Sequence, residues 1–269
     1  MLMMIMLISH TLSDFIIKSS NIVLDKTKIK MSAYLSHGKW LIITSIPILI
    51  FLKVDSWIDI IIRIMGIIVI HLGLEFCKEK LQQKLVNHEK FNIINAFLFI
   101  CNQIMNISII ALITSNVELE YNVFSRFLLD ALLVRDGLTY ADLKILFVVL
   151  YVAFSGAYFI PLIFDIVYGK VSNYGEKLNY ILKVGVEEDE HSFIDEVKTG
   201  KWIGILERIL ILIFLFTNQL ASIGIIIAVK SLARFKMMDN KIFSEYYLIG
   251  TLLSVVYTFV LYEFFQRML

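Results

Sequence analysis

Long runs of apolar residues, separated by shorter charged stretches, dominate the pattern of this chain. Because an α-helix satisfies its own backbone hydrogen bonds in hydrocarbon, each run predicts a membrane helix. The pattern therefore predicts an all-α, polytopic membrane protein of about seven membrane segments, one of them short or re-entrant. The predicted segments are Met1 to Ile17, Trp40 to Leu52, Trp57 to Phe76, Phe91 to Thr114, Leu143 to Val167, Ile203 to Val229 and Tyr246 to Phe265.

The second of these runs is too short to cross a bilayer as it stands. Its apolar part, Leu41 to Leu52, covers about 18 Å at a helical rise of about 1.5 Å per residue, whereas the hydrocarbon layer is about 30 Å thick. The run also contains Pro47. We therefore expect it to dip into the membrane in a re-entrant hairpin or to be extended by its neighbours.

Composition supports a membrane protein and excludes other classes. Of the 269 residues, 58% are hydrophobic and 18% are charged, and the mean hydropathy is +0.78. Soluble proteins have about 45–50% apolar and about 25% charged residues, so a soluble globular enzyme is excluded as the default. The net charge of +1 gives no reason to expect a nucleic-acid partner. Cys77 and Cys101 lie in or beside apolar runs and are expected to be packing residues rather than a disulfide.

The charged loops predict an orientation in the cell membrane. Lys18 to Lys39 and Lys78 to Lys90 are rich in lysine, and such loops face the cytoplasm. Both assignments agree if the N-terminus lies outside and the first run, which has no cleavage site, is retained as a membrane segment. The basic turn Lys230 to Lys236 then falls outside, so either one segment does not cross or the acidic stretch 169–201 lies inside.

Charge and motif placement divide the chain into two regions. Residues 1–90 hold the first membrane helices and a layer of histidine and carboxylate side chains. Residues 91–269 are expected to form a C-terminal membrane bundle with an interfacial amphipathic helix at 121–134 and an acidic loop at 169–201. The acidic run Glu187 to Glu190 in that loop is a candidate surface for recruiting a basic protein partner.

Histidine and carboxylate residues recur in pairs at helical spacing. His10 and Asp14 are four residues apart, as are His71 and Glu75, so each pair shares one face of a helix. His37 opens the second segment. If both lysine-rich loops are cytoplasmic, all five side chains lie within about 12 Å of the same membrane face.

This layer is the candidate chemical site. Imidazole nitrogen and carboxylate oxygen suit a divalent transition metal (Zn, Mn or Fe), and three or four protein ligands with an open position are typical of a catalytic centre. One of the carboxylates, Asp14 or Glu75, can instead act as the catalytic base. The alternative is a hydrogen-bonded or proton-relay layer. The predicted metal ligands are His10, Asp14, His37, His71 and Glu75, and the predicted anion- or headgroup-binding residues are Lys18, Lys78, Lys230 and Arg234.

A second charged cluster follows in the C-terminal half. Glu207 and Arg208 are adjacent and therefore point about 100° apart around a helix, so each needs a partner elsewhere. In one continuous helix, Lys230 lies about 35 Å from Glu207, at the opposite membrane surface. Glu245 is then the expected partner of Lys230 or Arg234, in a helical-hairpin clasp, a phosphate-binding pocket or a partner-docking surface.

Three motifs resemble those of a known family. Ile8 to Phe15 (ISHTLSDF), His37-Gly38 and His71 to Lys78 (HLGLEFCK) resemble the H-x-x-x-D-F, H-G and H-x-x-x-D-x-x-K pattern of a bacterial integral-membrane family described as a domain of unknown function. Glu75 stands where that pattern has aspartate, and Lys18 where glutamine is common. The stretches 200–208, 230–235 and 245–254 resemble longer members of the same family.

The first third of the chain is also similar to predicted membrane-bound metal-dependent hydrolases, in which such histidine and aspartate positions are taken as ligands. This resemblance implies a hydrolase of the bacterial inner membrane that acts on a lipid or another membrane-proximal phosphoester. The alternatives are a non-enzymatic transport, channel or signalling component, and a membrane effector that recruits a protein partner. Membrane lipid is the expected partner, and small residues such as Gly204 and Gly224 also allow a homo-oligomer.

Overall fold

The computed structural model describes residues 1–17, 38–45, 52–53, 57–115, 117, 120–121, 139–168, 190–239 and 241–268. These residues are almost entirely helical, as the apolar runs predict. The first helix continues directly into a π-helical turn, Leu12–Ile17. Two residue pairs form a short antiparallel ladder, with Leu52 opposite Tyr121 and Lys53 opposite Glu120. In chain order the elements are α1 (Leu2–Thr11), α2 (38–45), β1 (Leu52–Lys53), α3 (Trp57–Leu85), α4 (Phe91–Thr114), β2 (Glu120–Tyr121), α5 (Tyr140–Tyr168), α6 (Glu190–Phe216), α7 (Leu220–Ala233), a 3-10 turn (Phe235–Met237) and α8 (Lys241–Met268).

Four of the described helices are long and apolar enough to cross a membrane: α3, α4, α5 and the Phe243–Met268 part of α8. Each exceeds the roughly 20 residues that a hydrocarbon core of about 30 Å requires. Helix α1 with its π-helical turn, and helix α7, are apolar but shorter. The helical fold is therefore confirmed and a membrane protein is supported, whereas the total of about seven segments stays a prediction.

Side chains of α3 and α4 are distributed as expected for helices in hydrocarbon. Large apolar side chains face outward, and Ile58 and Leu112 are 73% and 74% exposed. Polar side chains of the same helices are buried, among them His71, Glu75 and Asn106. Such an apolar surface would aggregate in water, but in a bilayer it meets lipid while the ionisable groups are kept away from the acyl chains.

The chain divides into two compact units, Met1–Leu150 and Tyr151–Leu269. In the first unit, α4 packs against α3 and α1. Helix α2 contacts α1 through a hydrogen bond of 3.0 Å from Ser9 Oγ to the Thr44 carbonyl. In the second unit, α6 packs against α7 and α8. The predicted boundary after residue 90 followed motifs rather than packing and stays a prediction, but α4, which lies beyond it, belongs to the first unit.

One predicted membrane segment is interrupted. The run Ile203 to Val229 was expected as one helix, but α6 ends at Phe216 and α7 begins at Leu220. Between them Asn218 adopts a left-handed backbone with a φ of 56°. Asparagine tolerates this conformation better than most residues because its short polar side chain bonds locally. The prediction of a continuous helix is therefore wrong.

Two other predicted features lie partly outside the described residues. Of the interfacial helix at 121–134, the structure describes Tyr121 alone, in the ladder. The acidic loop at 169–201 is described from Glu190 onward, and there it is helical, as the beginning of α6. That part of the loop prediction is wrong, because charged residues such as Glu196 and Lys198 have helix propensities close to that of leucine. The remaining acidic residues of the recruitment surface, 187–189, lie outside the described part of the chain.

Arg208 links α6 to α5 in the interior of the second unit. It is buried, and its Nε and Nη2 atoms donate to the Ala153 carbonyl at 3.0 and 2.7 Å. The side chain fits because neighbouring positions are glycine: a Cβ on Gly156 would lie 2.7 Å from Arg208 Nε, and a Cβ on Gly204 would lie 3.3 Å from Nη1. The sequence predicted that Arg208 has a partner other than Glu207, and the structure shows that this partner is the Ala153 carbonyl.

Replacing Gly156 with alanine is expected to lower the free energy of unfolding by about 1–3 kcal/mol, the usual cost of overpacking. The added methyl group would displace Arg208 or Tyr257, whose Cε1 atom would lie 3.0 Å away. Gly66→Ala in α3 is the matched control, because a Cβ there meets nothing within 4 Å and alanine favours a helix by about 1 kcal/mol. Thermal unfolding in detergent compares the two variants, and equal unfolding midpoints would show that Gly156 is not constrained by its neighbours.

Candidate metal centre

Three elements of the first unit bring three of the predicted ligands together. His10 lies in the last turn of α1, Asp14 lies in the π-helical turn that follows, and His71 lies in α3. All three are buried, with exposures of 3%, 7% and 4%. One ligand atom from each lies within 4.8 Å of the others. The structure thus places these residues in one group, and their role as metal ligands stays a prediction.

The Asp14 carboxylate contacts both imidazole rings. Its Oδ1 atom is 3.6 Å from His10 Nδ1 and 3.3 Å from His71 Nε2. The two rings meet edge to face, with centroids 4.9 Å apart and an interplanar angle of 74°. π-Helical turns inside or beside α-helices are frequent at functional sites, because they redirect side chains that a regular helix would place elsewhere.

An amide from α4 holds the second imidazole in place. His71 Nδ1 lies 3.1 Å from Asn106 Oδ1, and Asn106 is itself buried. Because an amide oxygen accepts hydrogen bonds, the imidazole states that fit this contact carry a proton on Nδ1, and the Nε2 atom then faces Asp14. A hydrogen bond to the second ring nitrogen is the usual way in which proteins orient a histidine ligand.

Glu75 is the fifth predicted ligand, and it lies outside the three-residue group that the described residues form. It is nearly fully buried, accepts a hydrogen bond of 3.3 Å from Asn102 Nδ2, and forms an ion pair with Lys78. Glu75 therefore lies one helical turn beyond His71 on α3, with its charge compensated by a lysine.

His37 and Lys18 lie outside the described residues. The residue after His37 is described: Gly38 lies in α2 against α3, where an added Cβ would be 3.1 Å from Leu72 Cδ1. Leu72 directly follows His71. Gly38 of the H-G motif and Leu72 of the second histidine motif are thus neighbours.

Sequence reasoning missed the amide residues of α4. Asn102, Gln103 and Asn106 are all buried, and two of them contact the predicted ligands His71 and Glu75. The sequence did contain a signal for them, because the three amides fall within five consecutive positions of an apolar run. Amide side chains are costly in hydrocarbon, so such a group implies hydrogen-bond partners inside the protein.

The predicted clasp between the last two helices is wrong. Lys230 Nζ lies 2.6 Å from Glu207 Oε2, while Glu245 Oε1 lies 3.9 Å from Lys241 Nζ. The chain reverses at Asn218, so Lys230 returns to the level of Glu207 instead of reaching the opposite membrane surface. Of the predicted anion-binding lysines, Lys78 and Lys230 therefore both carry carboxylate partners.

The three-residue group and its amide neighbour all lie in the N-terminal half of the chain. Residues 2–133 match the family model DUF3307, described as a protein of unknown function. The DUF3307 match contains His10, Asp14, His71 and Asn106, and residues 134–269 lie beyond it. It supports the resemblance to an uncharacterised family that the histidine motifs indicated.

Comparisons with curated proteins and with solved structures find no match. The similarity to hydrolases that the motifs implied is not shown by the DUF3307 match, whose description names no reaction. A chemical role must therefore be argued from the site itself.

Proposed function

We propose that this chain is a membrane-embedded metal-dependent hydrolase that acts on a lipid or another membrane-proximal phosphoester, with His10, Asp14 and His71 holding a divalent transition metal. The observation that carries the proposal is the meeting of two buried imidazoles and one buried carboxylate from separate elements. Ionisable residues within membrane segments are costly and rare, so a buried cluster of them indicates a function.

Two of the donor-atom contacts have the spacing that two ligands of one metal ion would need. Ligand distances of about 2.0–2.1 Å at tetrahedral angles separate two ligand atoms by about 3.3 Å. The contacts of Asp14 Oδ1 with His71 Nε2 and His10 Nδ1, at 3.3 and 3.6 Å, are close to that value. Two histidines and one carboxylate also leave a position for water or substrate, as catalytic zinc sites do, and manganese and iron accept the same donors.

Asn106 adds a second line of support. With Nδ1 donating to Asn106, His71 directs Nε2 at a carboxylate oxygen 3.3 Å away. Two hydrogen-bond acceptors in buried contact repel unless a cation or a proton lies between them. A metal ion would meet this requirement, and a proton on His71 Nε2 would meet it in the second candidate function below.

The other residues of the layer have roles in the proposed reaction. When bound, the metal would lower the pKa of a water ligand to about 7 or polarise a phosphoryl oxygen. Glu75, held by Asn102 and Lys78, is the carboxylate that we propose as proton acceptor. Lys18 is proposed to attract the anionic headgroup of the substrate, whereas the charge of Lys78 is taken up by its pair with Glu75.

His37 is proposed as a further ligand. Its neighbour Gly38 lies beside Leu72, one residue from His71. His37→Ala should therefore weaken metal binding, as His71→Ala should.

The proposed location is the cell membrane, with the N-terminus outside and the metal layer near the cytoplasmic face, as the lysine-rich loops predict.

The direct contact between His71 and Asp14 also favours a second candidate function. A protonated imidazole 3.3 Å from a carboxylate is a buried ion pair, which is the arrangement expected in a proton relay or transport layer. Such a layer would need no metal. The two candidates therefore differ in metal dependence.

Hydrolysis of a lipid phosphoester by the purified chain in mixed micelles is the test. We expect chelation to stop the reaction and Zn²⁺ or Mn²⁺ to restore it, because the proposed reaction would need the metal to activate the attacking water. His71→Ala should lower the rate at saturating metal by at least about 100-fold, the scale at which metal-site residues act. His88→Ala is the matched control, because His88 is exposed in the loop between α3 and α4.

A relay predicts a different pattern in the same preparations. No variant would show metal-dependent hydrolysis, and His71→Ala would change proton flux into liposomes. Hydrolysis that continues at full rate after chelation would refute the metal-dependent mechanism.

A further inference from the structure

Helices α6 and α7 form a hairpin in the second unit. α6 ends at Phe216 and α7 begins at Leu220, after the left-handed residue Asn218. The contact of 2.6 Å between Lys230 Nζ and Glu207 Oε2 shows that α7 returns along α6. The two helices are bridged by this ion pair, and a cleft lies between them.

The cleft is almost entirely apolar. Its volume of about 510 Å³ falls within the range of roughly 300–1,000 Å³ that is usual for small-molecule sites. Apolar side chains from both helices form its walls, so it suits a hydrocarbon chain better than a polar solute. These side chains are Ile203, Leu210, Phe214, Ile225, Ile226 and Val229.

Charged residues also line this cleft, and their charges do not cancel. Glu207, Lys230 and Arg234 all belong to the lining. Glu207 neutralises Lys230. Arg234 lies 6.0 Å from the Phe243 ring, and no carboxylate of the described residues lies within ion-pair distance of it. Among the described residues, the apolar cleft therefore carries one positive charge that no carboxylate pairs with.

We propose that this cleft binds an anionic phospholipid, with an acyl chain between α6 and α7 and the phosphate group at Arg234. Arginine is suited to phosphate because its planar guanidinium can donate two parallel hydrogen bonds. Basic pockets between membrane helices bind the headgroups of anionic lipids in the same way. The site lies in the second unit and does not depend on the metal centre.

Native mass spectrometry of the full chain in detergent tests this proposal. With phosphatidylglycerol and phosphatidylcholine supplied at equal concentrations, we expect about fivefold more phosphatidylglycerol to be retained, the effect of one basic residue near an anionic lipid. Arg234→Gln should abolish that preference. Arg267→Gln should leave it unchanged, because Arg267 is exposed and lies outside the cleft.

A second variant tests the acyl-chain half of the site. Val229→Trp should fill the cleft and reduce the retention of both lipids, while circular dichroism confirms that the helices are kept. Equal retention of the two lipids by the natural chain, or a preference that survives Arg234→Gln, would overturn the proposal. Lipid-free dimers that dissociate in Val229→Trp would also overturn it, because a second copy of the chain would then occupy the cleft.

Discussion

Asp14→Asn is expected to weaken the binding of Zn²⁺ by at least about 100-fold, because the substitution removes the anionic ligand of the proposed centre. Asp14 Oδ1 contacts an imidazole nitrogen of both His10 and His71, so its charge is central to the group. Asparagine has nearly the same size, which keeps the packing of the π-helical turn. Competition with a chromophoric chelator, in detergent, measures the affinity.

Graded controls distinguish a ligand from a residue that positions one. Asn106→Leu should weaken Zn²⁺ binding by about 10–100-fold, because Asn106 contacts only the far nitrogen of His71. The exposed His88 should be replaceable by alanine without effect. If Asp14→Asn bound Zn²⁺ as tightly as the natural chain, Asp14 would not be a ligand.

Lys78→Met is expected to lower the free energy of unfolding by about 3–5 kcal/mol, the usual result of removing one partner of a buried ion pair. The Glu75 carboxylate is 1% exposed and keeps its contact with Asn102, but it loses the ammonium group that pairs with it. Unfolding in detergent, followed by the loss of helical circular dichroism, measures the change.

Two comparisons make this result specific. Lys241→Met removes a lysine from an exposed i,i+4 pair with Glu245, where the side chains are 88% and 58% exposed, so its effect should stay below about 0.5 kcal/mol. The double variant Lys78→Met/Glu75→Gln should recover most of the lost stability, because no buried charge remains uncompensated. Equal effects of Lys78→Met and Lys241→Met would show that the Glu75 pair is not buried from solvent in the folded protein.

Helices and ligand candidates could be predicted because both depend on local pattern. Long apolar runs must be helical in hydrocarbon, whatever packs against them. The four-residue spacing of His10 and Asp14 places them on one face of a helix before any neighbour is known. The prediction that His71 lies near Asp14 depended on their similar depth in the membrane. The lysine-rich loops that follow each of them implied that depth.

Features that depend on the packing of separate helices could not be predicted. Asn106 meets His71 because α4 lies against α3 in one particular register, and spacing within a single run carries no information about that register. The pair of Lys230 with Glu207 depends on a chain reversal at the polar residues 217–219, inside a run that hydropathy alone joins into one helix. A single asparagine in the left-handed conformation thus separates one apolar run into two helices, and hydropathy alone does not show it.

Elemental analysis of the detergent-purified full chain is the most direct test of the metal centre. We predict about one Zn, Mn or Fe ion per chain in the natural protein and in His88→Ala. His71→Ala should contain none while circular dichroism shows that its helices are intact. A natural chain that contains no transition metal, and takes up none when Zn²⁺, Mn²⁺ and Fe²⁺ are supplied, would contradict the proposed centre.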